Sequence, residues 1–171
     1  MTVMVTARLR LRQFELDDAP FILQLLNEPG WKRFIGDRNI TSEADARTYI
    51  ETVLIASYVQ HGFGLYAVYL KDPALPIGMC GLVKRDALAD VDVGFALLHD
   101  YQGSGYALEA ARATLQYARD VLGISRLVAI TTAANGRSID LLRRLGMGYE
   151  KNIKLSADAD TLELYAIYLT G

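Results

Sequence analysis

The stretch HDYQGSGYALEAARATLQYA, residues 99–118, runs two glycines, Gly103 and Gly105, directly into an alanine-rich helical pattern. Before it lies ADVDVGFALL (89–98), an apolar run of strand character. After it, Gly123 closes a helix predicted over 104–122, and RLVAIT (126–131) reads as the next strand. A strand that passes through a helix into another strand is a crossover unit, which makes the two strands parallel. The first amides of a helix have no internal partner and sit at the positive end of its dipole. Glycines there let backbone N–H groups reach a phosphate directly, but the same pair also suits a plain tight turn.

Working outward, the flanking segments change period. FGLYAVYL (63–70), PIGMCGLVKR (76–85) and 89–98 are short strand-like runs parted by KDPALP and DAL, the pattern of an antiparallel meander. Near the start, ARLRLRQF (7–14) alternates Arg8, Arg10 and Arg12 with Leu9 and Leu11, so it reads as a half-buried strand with a solvated arginine face. DDAPFILQLLN (17–27) follows as a helix with Pro20 in its first turn, stopped by EPG. TSEADARTYIETVLIASYVQ (41–60) is a second helix, with Ser42 and Asp45 spaced as a capping box. A glycine-bracketed helix near 136–145 and strands near 147–155 and 162–169 complete the chain. The order is β-α-α-β-β-β-α-β-α-β-β, an α/β (α+β) fold. Its sheet is mixed and mostly antiparallel with one parallel pair, and helices cover both faces.

Composition narrows the function classes. At 171 residues, without a linker or internal repeat, the chain reads as one domain spanning 1–171. A formal charge of -2 argues against nucleic acid as the main partner. Cys80 is the single cysteine, which excludes an intramolecular disulfide and a cysteine zinc cluster, and no metal site is expected. No apolar run reaches membrane-spanning length and no signal peptide opens the chain, so a cytoplasmic protein is expected.

Two common phosphate motifs fail at the glycines. A dinucleotide fingerprint needs a small residue where Leu108 stands, and a P-loop needs G-K-[ST] where Tyr106 and Ala107 follow. Instead, DVGFALLHDYQGSGYALEA resembles the acyl-CoA-binding motif of the GNAT N-acetyltransferases, and GYALEA is most similar to their RimJ/RimL branch. NGRSIDLLRRLGM resembles that branch's second motif, with Asn135, Ser138, Leu141 and Gly146 at the expected spacing. ARLRLRQFELDDAPFILQL is similar to its opening strand and helix. One residue departs: Asp100 stands where the superfamily pattern often has Arg or Gln, and it is expected to contribute backbone only.

The resemblance implies acetyl-CoA as co-substrate and a primary amine acceptor, either a small molecule or a protein N-terminus, that attacks the thioester directly. It implies pyrophosphate on the amides of Gln102, Gly103, Ser104, Gly105, Tyr106 and Ala107. The pantetheine arm would lie along the strand at Phe95, Ala96 and Leu97, whose amides would also face the oxyanion. That arm needs room between 90–97 and RLVAIT, and Gly94 reads as a bulge or close-approach point. Ser138 matches the position that serves the departing sulfur, or else it satisfies the start of its helix. Asn135 would bind pantetheine, cap that helix, or both. Asp92 is similar in place to a general base, with Asp90 two residues away; an exposed structural aspartate fits Asp92 equally. His61, His99 and Cys80 read as non-catalytic.

The acceptor side is expected in 27–43 and 57–64, with Trp31, Arg33, Phe34 and Asp37 lining a pocket or packing as a connector, and Asp37 or Glu43 free to hold an ammonium. A homodimer is among the assemblies the resemblance allows. A non-catalytic acyl-CoA-binding domain of the same fold is the alternative reading.

Overall fold

The computed structural model describes residues 1–34 and 38–170. Strands β1 (Thr2–Val5), β2 (Leu9–Gln13), β3 (Leu65–Leu70), β4 (Pro76–Val83), β5 (Asp92–Leu97), β6 (Arg126–Thr131), β7 (Gly148–Ile153) and β8 (Leu162–Tyr168) form one sheet in the order β1-β2-β3-β4-β5-β6-β8-β7. Its single parallel pair is β5 with β6, where the crossover predicts it. The helices are α1 (Ala19–Leu26), α2 (Pro29–Phe34), α3 (Glu43–Tyr49), α4 (Ala56–His61), α5 (Tyr106–Asp120) and α6 (Gly136–Arg144).

Three details depart from the sequence reading. The opening strand is a hairpin of β1 and β2, with Met4 opposite Leu11 and a tight turn held by Thr6 N–H to the Leu9 carbonyl at 2.9 Å. TVMV is too short to show a period, so β1 escapes sequence analysis. EPG ends α1 but also begins α2, because Pro29 fits the first position of a helix, where its missing N–H has no partner to lose. The 41–60 helix continues through a π-helical segment, Ile50–Ile55, before α4 ends at Gly62 with φ 77°.

Alternation along the strands builds two cores, one on each face of the sheet. In β3, Tyr66 and Val68 join the core under α5 and α6, whereas Ala67 joins the core under α1 to α3. Residues Ala110, Ala111, Thr114, Leu115 and Ala118 are buried along α5. Mostly small, they let that helix lie close on the sheet. Its position is fixed over β4 and β5, with its N-terminus at the C-terminal end of β5.

The pairing of β5 with β4 is unshifted from Val83–Asp92 to Gly78–Leu97, so Gly94 is not a bulge. The opening lies on the other edge. There β5 and β6 share one bridge, Asp92 with Val128, and the Val128 N–H reaches the Val91 carbonyl at 3.0 Å. Beyond that bridge the two strands part.

Candidate active site

The glycine loop presents a row of unused donors. Gly103 and Gly105 have φ of 85° and 83°, the left-handed region where a side chain is strained. Gly105 is the N-cap of α5, and the first helical bond from the loop runs from the Glu109 N–H to the Gly105 carbonyl at 3.0 Å. Among the described residues the amides of Gly103, Ser104, Gly105, Tyr106 and Ala107 have no hydrogen-bond acceptor. Gln102 corrects the sequence reading. Its N–H donates to the His99 carbonyl at 3.1 Å and its side-chain amide lies 3.4 Å from the Leu97 carbonyl. Asp100 is exposed in the short turn His99–Tyr101 that precedes the loop.

A brace from far along the chain holds this loop, and sequence analysis missed it. Arg8 is not a bystander on a solvated face. Its Nη1 donates to the Ser104 carbonyl at 3.0 Å, its Nε to Glu109 at 2.7 Å, and its guanidinium lies 4.4 Å over the Tyr106 ring. Glu109 also accepts from the Thr6 hydroxyl at 2.5 Å and the Arg8 N–H at 2.9 Å. Burial pushes the Glu109 carboxyl up, but the bonds from Thr6 and Arg8 pull it further down, below its ordinary value. Arg12 is likewise engaged, forking onto Asp18 at 2.7 and 2.8 Å.

Where β5 parts from β6, backbone donors face the gap. The Leu98 N–H donates to the Ile77 carbonyl at 2.8 Å, so even-numbered amides of β5 point toward β4 and odd-numbered ones toward β6. The amides of Phe95 and Leu97 therefore point into the gap. That of Ala96 belongs to the ladder with Met79, which removes it from the expected donors.

Across the gap stand the end of β6 and the start of α6. Asn135 is the N-cap of α6, its side-chain oxygen accepting the Ser138 N–H at 3.2 Å. The Ser138 hydroxyl has no partner among the described residues. Thr132, which sequence analysis did not single out, follows β6 with a buried hydroxyl that is also unpartnered. Two unused hydroxyls thus flank the β6 edge of the opening.

Asp92 is no exposed aspartate. It is 2 % exposed, and Arg85 Nε lies 2.7 Å from its Oδ2. Burial pushes its carboxyl above the ordinary value against the pull of Arg85. Asp90 pairs instead with Arg126 at 3.1 Å.

On the acceptor side, Trp31 is 7 % exposed and part of the core under α1 to α3, its indole N–H unpartnered among the described residues. The side chains of Arg33 and Phe34, and Asp37 altogether, lie outside the described residues. In the 57–64 stretch, Tyr58 is tied to the sheet. The Tyr58 hydroxyl donates to the Leu65 carbonyl and accepts the Phe14 N–H, while its ring stacks on Tyr66 at 5.5 Å. Cys80 is buried against the Thr114 hydroxyl at 3.4 Å, and burial pushes its thiol up to about 12, so it is no nucleophile at neutral pH. Among the described residues no group of His, Cys, Asp and Glu could hold a metal, and no helix is long and apolar enough to cross a membrane.

Comparison with known proteins agrees with this geometry. The family described as "Acetyltransferase (GNAT) domain" matches residues 8–148. The uncharacterized N-acetyltransferase p20 of Bacillus licheniformis is 27% identical over 151 residues, covering 88% of this chain and 84% of that protein. RimL, a ribosomal L7/L12 α-N-protein acetyltransferase solved with coenzyme A, superposes with a TM-score of 0.82 at 21% identity, covering 99% of this chain and 98% of its own. The ribosomal-protein-S5-alanine acetyltransferase of Vibrio fischeri superposes at 0.80 with 17% identity, covering 99% and 97%. Five open amides at a helix start and a strand pair that parts beside them are thus carried by a chain that belongs to the GNAT acetyltransferases.

Proposed function

We propose that this acetyltransferase, as a member of the RimJ/RimL branch, moves the acetyl group of acetyl-CoA to a primary amine by direct attack within a ternary complex. The observation that carries the reading is the run of acceptor-free amides from Gly103 to Ala107, open at the same end of the molecule as the gap between β5 and β6. Hydrogen bonds to a charged oxygen contribute roughly 1.5–3 kcal/mol each, so several amides hold a pyrophosphate without a lysine.

The rest of the chemistry follows from groups around the gap. The amides of Phe95 and Leu97 pair with the pantetheine arm as a strand would, and meet negative charge as it grows on the acetyl oxygen. Asn135 fixes the first turn of α6. The Ser138 hydroxyl, unused inside the fold, donates to the sulfur as the C–S bond breaks. The amine's proton passes to Asp92, whose raised affinity for protons suits a base, or to water.

Amine pKa ranks the acceptors. At pH 7 an α-amine of pKa about 7.8 is roughly 15% neutral, whereas a lysine of pKa about 10.4 is roughly 0.04% neutral. An α-amine, on a protein N-terminus or a small molecule, therefore needs the least help. Two proteins of similar fold are named for acetylating ribosomal proteins, which supports testing protein N-termini first. The test is a panel of amines at saturating acetyl-CoA with released thiol followed over time. Release that rises with an α-amine and yields its acetylated product is expected; release that no amine accelerates would end the reading.

A further inference from the structure

The connection between β4 and β5 delivers one cation to Asp92 and engages the other with the backbone. Lys84, just past β4, donates its Nζ to the Arg85 carbonyl at 3.0 Å and to the Leu88 carbonyl at 2.6 Å. The Leu88 N–H closes the same turn onto the Arg85 carbonyl at 3.2 Å. Those bonds fix the backbone of Arg85. With Val83 opposite Asp92 in the β4–β5 ladder, the Arg85 side chain returns onto β5, and its Nε donates to Asp92 Oδ2 at 2.7 Å.

The grip is single. Where Arg12 meets Asp18, two terminal nitrogens fork onto both carboxylate oxygens, the geometry that makes an ion pair strongest. Arg85 holds one oxygen only, and no described residue accepts from its terminal nitrogens. Asp92 Oδ1 accepts no hydrogen bond from a described residue, yet it is not sealed from solvent. The carboxylate at the closed end of the gap is thus pinned on one side and open on the other.

The surroundings leave Arg85 in control of that carboxylate. Val83 on β4 and Val128 on β6, its partners in the sheet, are apolar. On its own side of the hairpin Asp90 is paired with Arg126 at 3.1 Å, and Asp86 in the turn is exposed. Tyr49 of α3 has its phenol pushed up by burial and stays neutral. Among the described residues Arg85 is the one charged group that Asp92 touches.

We propose that Arg85 is a positioning residue for acetyl transfer, holding Asp92 by one oxygen as a carboxylate and leaving the other free to take the proton of the attacking amine. The role rests on the acetyl-transfer reading above, with Asp92 as its base. As the N–C bond forms and the C–S bond breaks, the amine proton passes to Oδ1 and on to water, and the thiolate leaves on the Ser138 hydroxyl. Arg85 stays charged throughout and gives up no proton.

The test follows kcat against pH at saturating acetyl-CoA with two accepted α-amines of different pKa. An acid limb that travels with the amine is the substrate's; the limb common to both is that of Asp92. Without its cation a buried carboxylate holds its proton to higher pH. Arg85→Gln should therefore move the common limb upward by about one pH unit or more, and Arg85→Lys, which keeps the charge on a different stem, should move it the same way by less. In an Asp92→Asn background the common limb should be gone, and Arg85→Gln should shift nothing further. A common limb unmoved in every Arg85 variant that folds, a profile lowered evenly at all pH, or a wild-type limb surviving in Asp92→Asn would overturn the role while leaving acetyl transfer standing. If no amine is acetylated, acetyl transfer itself fails and the role with it.

Discussion

Ser138 gives its backbone N–H to Asn135 and leaves its hydroxyl unpaired, which separates two roles that look alike in sequence. A serine in the first turn of a helix commonly satisfies the helix; here Asn135 does that work and the hydroxyl is left over. Ser138→Ala should lower kcat roughly thirty- to a thousandfold, the range for losing one hydrogen bond to developing charge of about 2–4 kcal/mol, with little change in acetyl-CoA affinity. Steady-state and single-turnover kinetics check it, and wild-type turnover where chemistry limits the rate would reduce Ser138 to a helix residue. The resemblance of NGRSIDLLRRLGM to the second motif of the RimJ/RimL branch singles out Asn135 and Ser138, and the helix cap expected of Asn135 is present. The partner of Asp92 was not legible, because Arg85 returns to it around a hairpin whose path no local pattern encodes. Gln102 shows the reverse failure. The motif put its amide with the phosphate donors, yet the turn at His99–Tyr101 takes it for a local bond.

The glycine loop and the first turn of α5 work as one element. A Cβ on Gly105 would lie 3.3 Å from Arg8 Nη2, and φ there is 83°. Gly105→Val should therefore weaken acetyl-CoA binding tenfold or more, read by calorimetric titration, since strain moves the amides and a branched side chain crowds the phosphate. Unchanged affinity would leave the loop a turn.

Glu109 ties that element to the β1–β2 turn. With its folded pKa held below the ordinary glutamate value, its stabilisation is full above that ordinary value and is lost as pH falls through the folded one. Glu109→Gln should flatten part of the acid limb of a Tm-against-pH curve and cost about 1 kcal/mol at pH 7, the smaller end because Arg8 is half exposed. A wild-type acid limb in the variant would show the brace to be idle. The residue ranges of α5 and β6 were readable from periodicity and glycine stops. The brace was not, since Thr6 and Arg8 lie about a hundred residues from Glu109 in sequence.

For the whole molecule, element order alone made the crossover, the single parallel pair and the two-sided helix cover legible. Of the two readings of Gly94, bulge or close-approach point, the unshifted register removes the bulge as the cause of the parting of β5 from β6. The parting arises instead because the ladder to β4 stays regular while β6 turns away after one bridge, a long-range outcome that strand patterns do not carry. If that gap and the amides beside it hold acetyl-CoA, the coenzyme at a hundredfold excess over Kd stabilises the fold by about 2.7 kcal/mol. For a chain of this size that is a Tm rise of roughly 5–10 °C. NADH and ATP should give no comparable rise, and a scan with each ligand separates them.

The central claim, direct transfer to an amine by groups lining the gap, is tested most directly by stoichiometry. Enzyme, acetyl-CoA and an α-amine are mixed, and thiol released, amine acetylated and intact protein mass are followed together. The account predicts one thiol for each acetylated amine, no release before the amine is added, and a protein mass that never changes. Thiol released without amine together with a protein that gains an acetyl group, or thiol released with no acetylated amine formed, would contradict it.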